Sequence, residues 1–218
     1  MGNFLASTKI TTDLASKSVY SYTLTTLEGN PFPMESLKGK VVMVTNVASK
    51  CGYTKSYYKQ MVRIYSVFAP LGLEIIGLPS REFMGQEFED PKEIRKFADS
   101  HNVKFPLMEI CKVNGPDALE FVQKLKRETP ELYDEKSNTL SAIKWNFSRF
   151  LIDKNGKVVA FRGTRTEPNE LIPKIAELLG VSDYQNLFKN YDKLHPESGY
   201  DPKDDVCPLK QKQSEQGS

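Results

Sequence analysis

Cysteine, histidine and tryptophan are scarce in this chain: three, two and one among 218 residues. The cysteines, Cys51, Cys111 and Cys207, are far apart and odd in number, so they cannot all pair within one chain. With only His101 and His195 beside them, they show no metal-ligand spacing either. A disulfide scaffold and a zinc site are therefore excluded as expectations, and a reducing, cytoplasmic compartment is the one expected. No apolar run approaches the roughly 20 residues that span a bilayer. The start lacks a basic region followed by an apolar stretch, so no secretory signal is expected. Charge of one sign is lacking too: the net of +2 gives no global reason to bind nucleic acid or an anionic membrane. One feature keeps the membrane in view. In "MGNFLAS", Gly2 holds the N-myristoylation position, although Ala6 stands where the strict pattern wants Ser or Thr and Ser7 follows. A single acyl chain anchors only marginally, so membrane contact is expected only if Gly2 is acylated.

What is present, 39% hydrophobic and 27% charged residues, suits one soluble domain with appendages. "VYSYTLTTL", 19–27, alternates apolar and polar, and "EGNPFP" supplies turn chemistry after it. "KVVMVTNVA", 40–48, and "LEIIGLP", 73–79, are near-continuous apolar strands of the kind covered on both faces. Between them Tyr57, Met61, Tyr65 and Phe68 fall at helical spacing, with Gly72 near the stop. Strand, helix, strand in that order implies parallel pairing. Asp90, Pro91 and Glu93 announce a capped helix, and "GPDALEFVQKLK", 115–126, reads as another beginning at Pro116. "FSRFLIDKNGKVVAFRG" is a hairpin turning at Asn155-Gly156, and "PNELIPKIAELLG", 168–180, a closing helix. The organisation expected is a mobile N-terminal segment at 1–17, one α/β domain at 18–181, and a polar, largely disordered extension at 182–218. A short helix is allowed in that extension near 184–191.

Cys51 stands just past the carboxyl end of the first buried strand, at the mouth of the following helix, in the polar turn "SKCG". Unpaired N–H groups at a helix start carry partial positive charge and favour a thiolate. A disulfide oxidoreductase would need Cys-x-x-Cys, but "CGYT" puts Thr54 at the second position. Cys51 must act as a single nucleophile, with any second thiol coming from elsewhere.

"NVASKCGYT", 46–54, resembles the active-site motif of the glutathione peroxidases. "IGLPSREFMGQE", 76–87, and "WNFSRFLIDKNGKVV", 145–159, resemble that family's second and third motifs, in the family's order. The resemblance runs from about Val19 to Gly180. It implies a thioredoxin fold: α/β, a central mixed β-sheet flanked by helices, with an N-terminal β-hairpin. It implies a peroxidase that reduces hydrogen peroxide and organic or lipid hydroperoxides, with no bound cofactor and with glutathione or thioredoxin as reductant. Carried over residue by residue, the catalytic tetrad is Cys51, Gln86, Trp145 and Asn146. The chemistry fits those residue types. A thiolate attacks one peroxide oxygen, while neutral N–H donors on Gln86, Trp145 and Asn146 steady the sulfur and the departing oxygen.

The chain departs from the family pattern in ways that bear on the second half of the cycle. Ser80, Arg81, Glu82 and Met84 replace the usual residues of the second motif, and Ala98 stands where many cysteine-based relatives carry a resolving thiol. Two candidate resolvers are left. Cys111 has apolar neighbours that favour a structural role, and Cys207 is flanked by Asp204 and Asp205, which disfavour its thiolate. The alternative is a one-cysteine cycle resolved by glutathione, with Lys50, Arg81 and Arg149 as candidate carboxylate partners. The short stretch between Lys126 and Trp145 lacks the insertion of tetrameric members, implying a monomer. A second reading, a peroxide sensor that passes Cys51 oxidation to a partner protein, rests on the same departures.

Overall fold

The computed structural model describes residues 7–198. Gly2 and Cys207 lie outside them. A four-stranded mixed sheet organises the molecule: β4 (Val41–Val47) pairs parallel with β5 (Leu73–Pro79) and antiparallel with β8 (Arg149–Ile152), which pairs with β9 (Val158–Arg162). Every residue of β4 is buried. Its odd positions Val41, Met43 and Val47 pack with Tyr57, Met61 and Ile64 of α1 (Thr54–Phe68). Its even positions Val42 and Val44 pack with Leu24, Phe121 and Leu125 on the other face. Two covered faces explain why the strand shows no polar alternation.

α1 makes the crossover from β4 to β5, and a 3-10 turn at Ala69–Leu71 ends at Gly72, whose φ of +106° is left-handed. α2 (Pro91–Ser100) is capped as expected, with the Asp90 carboxylate accepting from the Lys92 N–H at 2.8 Å. A 3-10 turn capped by Glu167 and Glu170 leads into α4 (Ile172–Leu179), where Pro173 sits harmlessly in the first turn. The N-terminal hairpin pairs β2 (Thr23–Thr25) with β3 (Pro31–Pro33). In the β8–β9 turn, Gly156 adopts φ +85°, and the Tyr20 ring stands 2.6 Å from where a Cβ would be. This glycine therefore serves both the turn and the packing of the N-terminal region against it.

Two expectations are corrected, and a third, the short helix allowed near 184–191, is extended. The helix expected over 115–126 is α3, Glu120–Arg127; residues 115–118 form a turn in which Ala118 N–H donates to the Gly115 carbonyl, so Pro116 starts no helix. Residues 8–14, assigned to a mobile segment, belong to the folded unit. Thr8–Lys9 is β1, paired with β7 (Thr139–Leu140), which also pairs with β6 (Tyr133–Asp134). Leu14 is buried, and its carbonyl accepts from Lys124 Nζ at 2.9 Å. In the C-terminal extension, α5 (Tyr184–Leu194) is docked on α1. Phe188 packs edge-on to Phe68 at 5.1 Å, and Asp192 accepts bidentately from Arg63 at 2.7 and 2.6 Å.

Candidate active site

β4 ends at Val47, and the chain turns through a polar segment before α1 begins at Thr54. That turn is closed on itself: the Thr54 N–H donates to the Cys51 carbonyl at 3.0 Å and its hydroxyl to the Ala48 carbonyl. The Lys50 N–H donates to the Gln86 carbonyl at 2.8 Å, stitching the loop after β4 to the loop after β5. Two parallel strands thus present their carboxyl-end loops side by side, the place where open α/β sheets carry function. Cys51 is only 7% exposed, and it opens on a cleft of about 820 Å³ that Gln86 and Trp145 also line.

The three expected partners of Cys51 divide into two kinds. Gln86 follows two consecutive left-handed residues, Met84 at φ +57° and Gly85 at φ +63°, which turn the loop back toward Cys51. Trp145 is half-buried, its indole packed on Phe83 at 5.9 Å. Asn146 is fully buried and does not line the cleft; its Nδ2 donates to Gln86 Oε1 at 2.9 Å. That bond occupies the acceptor of Gln86 and leaves its amide N–H groups as the donors available to the cleft. Asn146 thus orients Gln86 with one of its two amide N–H donors.

Several positioning groups escaped the sequence reading. Asn46 clasps the turn that carries Trp145 and Asn146. Its Nδ2 donates to the Trp145 carbonyl at 3.2 Å, its Oδ1 accepts from the Ser148 N–H at 3.0 Å, and its own carbonyl accepts from Phe147 at 2.7 Å. The far wall of the cleft, residues 163–166, is pinned from behind. The Tyr57 hydroxyl donates to the Thr164 carbonyl at 2.6 Å, and Arg149 Nη2 donates to the carbonyls of Gly163 and Thr166. The Thr164 hydroxyl in turn donates to the Asn146 carbonyl. Arg149 is buried, stacked 5.2 Å from the Tyr57 ring, and desolvation pulls its guanidinium down to about 10. It is a scaffold cation and not a ligand partner.

Beneath the Cys51 turn lies Glu87, 1% exposed, whose Oε1 accepts from the N–H groups of Ser49 (3.1 Å) and Phe88 (2.9 Å). Oε2 has no partner in the structure, and burial pushes the carboxyl above its ordinary value. A carboxyl raised in the folded state contributes stability below its unfolded pKa and loses it as pH rises through the folded value. Glu87→Gln keeps the Oε1 acceptor and removes the buried charge. Its melting temperature should exceed that of the wild type at pH 7 by about 2–4 °C per kcal/mol relieved, with the gap closing toward pH 4. A gap independent of pH, or a variant less stable at pH 7, would contradict this assignment.

The remaining expected groups are not assembled here. Cys111 lies on an extended segment beside the end of β5, its N–H donating to the Pro79 carbonyl at 3.0 Å, and it does not line the cleft. Burial, with Glu82 and Glu109 nearby, pushes its thiol up to about 12, as befits a structural cysteine. Ala98 is buried in the core. Lys50 stacks 4.1 Å over Phe88, and Arg81 pairs with Glu89 at 2.5 Å. The cations that do line the cleft are Lys144 and Arg165, both exposed and without an ion pair among the described residues. Single exposed cations carry no periodic signal, and only the fold shows that these two meet. The described residues hold no cluster of three or more His, Cys, Asp or Glu side chains fit for a metal.

The glutathione peroxidase family model matches residues 19–126, which include Cys51 and Gln86. A glutathione peroxidase-like peroxiredoxin from Chlamydomonas reinhardtii is 40% identical over 77% of this chain and 100% of its own length. A hydroperoxy fatty acid reductase from Synechocystis is 34% identical over 76% of this chain and 98% of its own. The crystal structure of T. cruzi GPX1 superimposes with a TM-score of 0.60 at 30% identity, covering 76% of this chain and 99% of the other.

Proposed function

The chain belongs to the glutathione peroxidase family, a thioredoxin-fold thiol peroxidase, and from that premise we propose that Cys51 is the peroxidatic thiol, with Gln86 and Trp145 as its donors and Asn146 holding Gln86. The observation that carries the reading is the shared cleft: Cys51, Gln86 and Trp145, brought from three separate loops, open on one space. Attack by the Cys51 thiolate on a hydroperoxide moves two electrons from sulfur into the O–O bond. The bond breaks, sulfur gains an oxygen as sulfenic acid, and the other oxygen leaves as alkoxide or hydroxide and takes a proton. The amide of Gln86 and the indole of Trp145 stand where that charge develops, in a site that is partly closed to water. A thiol then condenses with the sulfenic acid, releasing water, and a second thiol frees Cys51. Glutathione and thioredoxin are the candidate reductants.

For the substrate, we infer preference for an organic hydroperoxide bearing an anionic group. The cleft is open enough for a bulky molecule, Lys144 and Arg165 supply unneutralised positive charge at it, and a relative reduces hydroperoxy fatty acids. Two rim charges are worth about 1.4 kcal/mol together, a tenfold change in affinity. The double variant Lys144→Ala/Arg165→Ala should therefore raise KM for a fatty-acid hydroperoxide about tenfold and leave hydrogen peroxide turnover unchanged. Equal losses for both substrates would remove the charge argument. A wild-type protein that consumes neither substrate with either reductant would overturn the peroxidase reading itself.

A further inference from the structure

Gln86 and Trp145 reach the cleft from separate segments, the loop after β5 and the turn before β8. The two segments touch through Phe83 of the loop, whose ring centre stands 5.9 Å from that of Trp145. A polar clasp joins them a second time. Glu82 Oε2 accepts from the N–H groups of Val113 and, at 3.1 Å, Asn114, with the Ser80 hydroxyl 3.5 Å away. The Asn114 side chain closes on Ile143 as a strand partner would. Its Oδ1 accepts from the Ile143 N–H at 2.8 Å, and its Nδ2 donates to the Ile143 carbonyl at 2.9 Å. Lys126 Nζ, from α3, donates to the same Oδ1 at 2.8 Å. Asn114 is 6% exposed and Lys126 3%, and none of Glu82, Asn114 and Lys126 lines the cleft.

Lys126 is the member that needs a reason. Its one hydrogen bond among the described residues goes to Asn114, and desolvation pulls the ammonium down to about 8 although Glu82 raises it. The folded chain therefore holds this proton less tightly than the unfolded chain does. The cost to stability is present at pH 7 and fades as pH rises past about 8. An apolar side chain of that length would pack on α3 without the cost. What an ammonium adds is direction. It can only donate, so it fixes which end of the Asn114 amide is the oxygen, and that choice sets both bonds to Ile143. Glu82, the counter-charge, is one of the residues by which this chain departs from the family's second motif.

We propose that Glu82, Asn114 and Lys126 are positioning residues of the peroxidase reaction: their clasp sets the spacing between the Gln86 loop and the Trp145 turn, so that both donors meet at Cys51. The inference rests on the peroxidase reading and adds to it a group of residues that touches neither sulfur nor substrate. Misplacing a donor by about an ångström lowers a rate about 100-fold. A clasp that acts through one side-chain amide is sensitive on that scale.

The test mixes reduced protein with hydrogen peroxide, without a reductant. Quenching with an alkylating agent over time and mapping peptides gives the rate at which the Cys51 thiol is lost, and dimedone identifies the sulfenic acid. Lys126→Met keeps the length and loses the donor. It should slow the loss of the thiol about tenfold, shift the Trp145 emission of the reduced protein, and keep or raise the melting temperature at pH 7. A lysine that merely supports the fold would do the reverse, lowering the melting temperature at an unchanged rate. Asn114→Ala frees the Ile143 backbone and should slow the reaction about 100-fold. Glu82→Ala should slow it about tenfold, and Glu82→Gln, which keeps an oxygen for Val113 and Asn114, should recover most of that loss. Should Asn114→Ala fail to fold, Lys126→Met and the two Glu82 variants decide. Wild-type rate and emission in Lys126→Met would overturn the proposal, as would a rate loss that comes without an emission shift. A wild-type protein that forms no sulfenic acid at Cys51 would sink the peroxidase reading itself.

Discussion

Cys51→Ser is expected to lower hydroperoxide turnover by at least about 1,000-fold, a loss of about 4 kcal/mol of transition-state stabilisation, with little effect on the fold. The reaction needs a polarisable sulfur that ionises and then carries an oxygen. A serine hydroxyl does neither at neutral pH. The donors on Gln86 and Trp145 and the cations on Lys144 and Arg165 would remain in place, so binding of a hydroperoxide should outlast its reduction. Stability should survive because the bonds that close the turn, from Thr54 to the Cys51 carbonyl and from Lys50 to the Gln86 carbonyl, are made by backbone atoms. The melting temperature should therefore stay within about 2 °C of the wild type. The assay follows NADPH consumption in parallel with glutathione plus its reductase and with thioredoxin plus its reductase. A well-folded Cys51→Ser protein that retains turnover in either would end the assignment of Cys51.

Much of this was legible in the chain, and the reason differs from element to element. β4 and β5 announce themselves because a strand buried on both faces must be apolar throughout, and the strand's end then places Cys51. Gln86 and Trp145 are invisible to periodicity; only their motif context singled them out. β1 was missed because a two-residue strand has no period, and its partner β7, like the Lys124 that holds Leu14, lies more than a hundred residues later. α3 was started too early because Pro116 suits a first helical turn, yet the segment before Leu119 spends its hydrogen bonds on a local turn. The bond from Asn146 to Gln86 emerges only when the loop after β5 is folded against the turn that carries Asn146. Motifs tell which side chains gather at a site but not the order in which they touch.

Asn46 shows how far that order matters. It stands in the opening motif and touches nothing that reacts, yet three of its atoms hold the turn from Trp145 to Ser148. Phe147 in that turn sits at φ +60°, a conformation a bulky residue adopts only when its surroundings impose it. Asn46→Ala leaves the Ser148 N–H without its buried acceptor and the Trp145 carbonyl with the Ser148 hydroxyl alone. The stability loss should be about 2–4 kcal/mol, or about 5–12 °C in melting temperature. The rate constant for the reaction with peroxide should fall about 100-fold, because misplacing donors by an ångström has that effect. A matched control separates positioning from plain destabilisation: Ile175→Ala, in the buried face of α4, should lower the melting temperature comparably and keep the rate. Trp145 is the only tryptophan, so its emission reports on the turn directly and should shift in Asn46→Ala but not in Ile175→Ala. If the two variants lose rate equally at equal stability, Asn46 is merely a structural residue. If only Asn46→Ala loses rate and shifts the emission, the donors at Cys51 are set in place from the strand that also delivers the thiol.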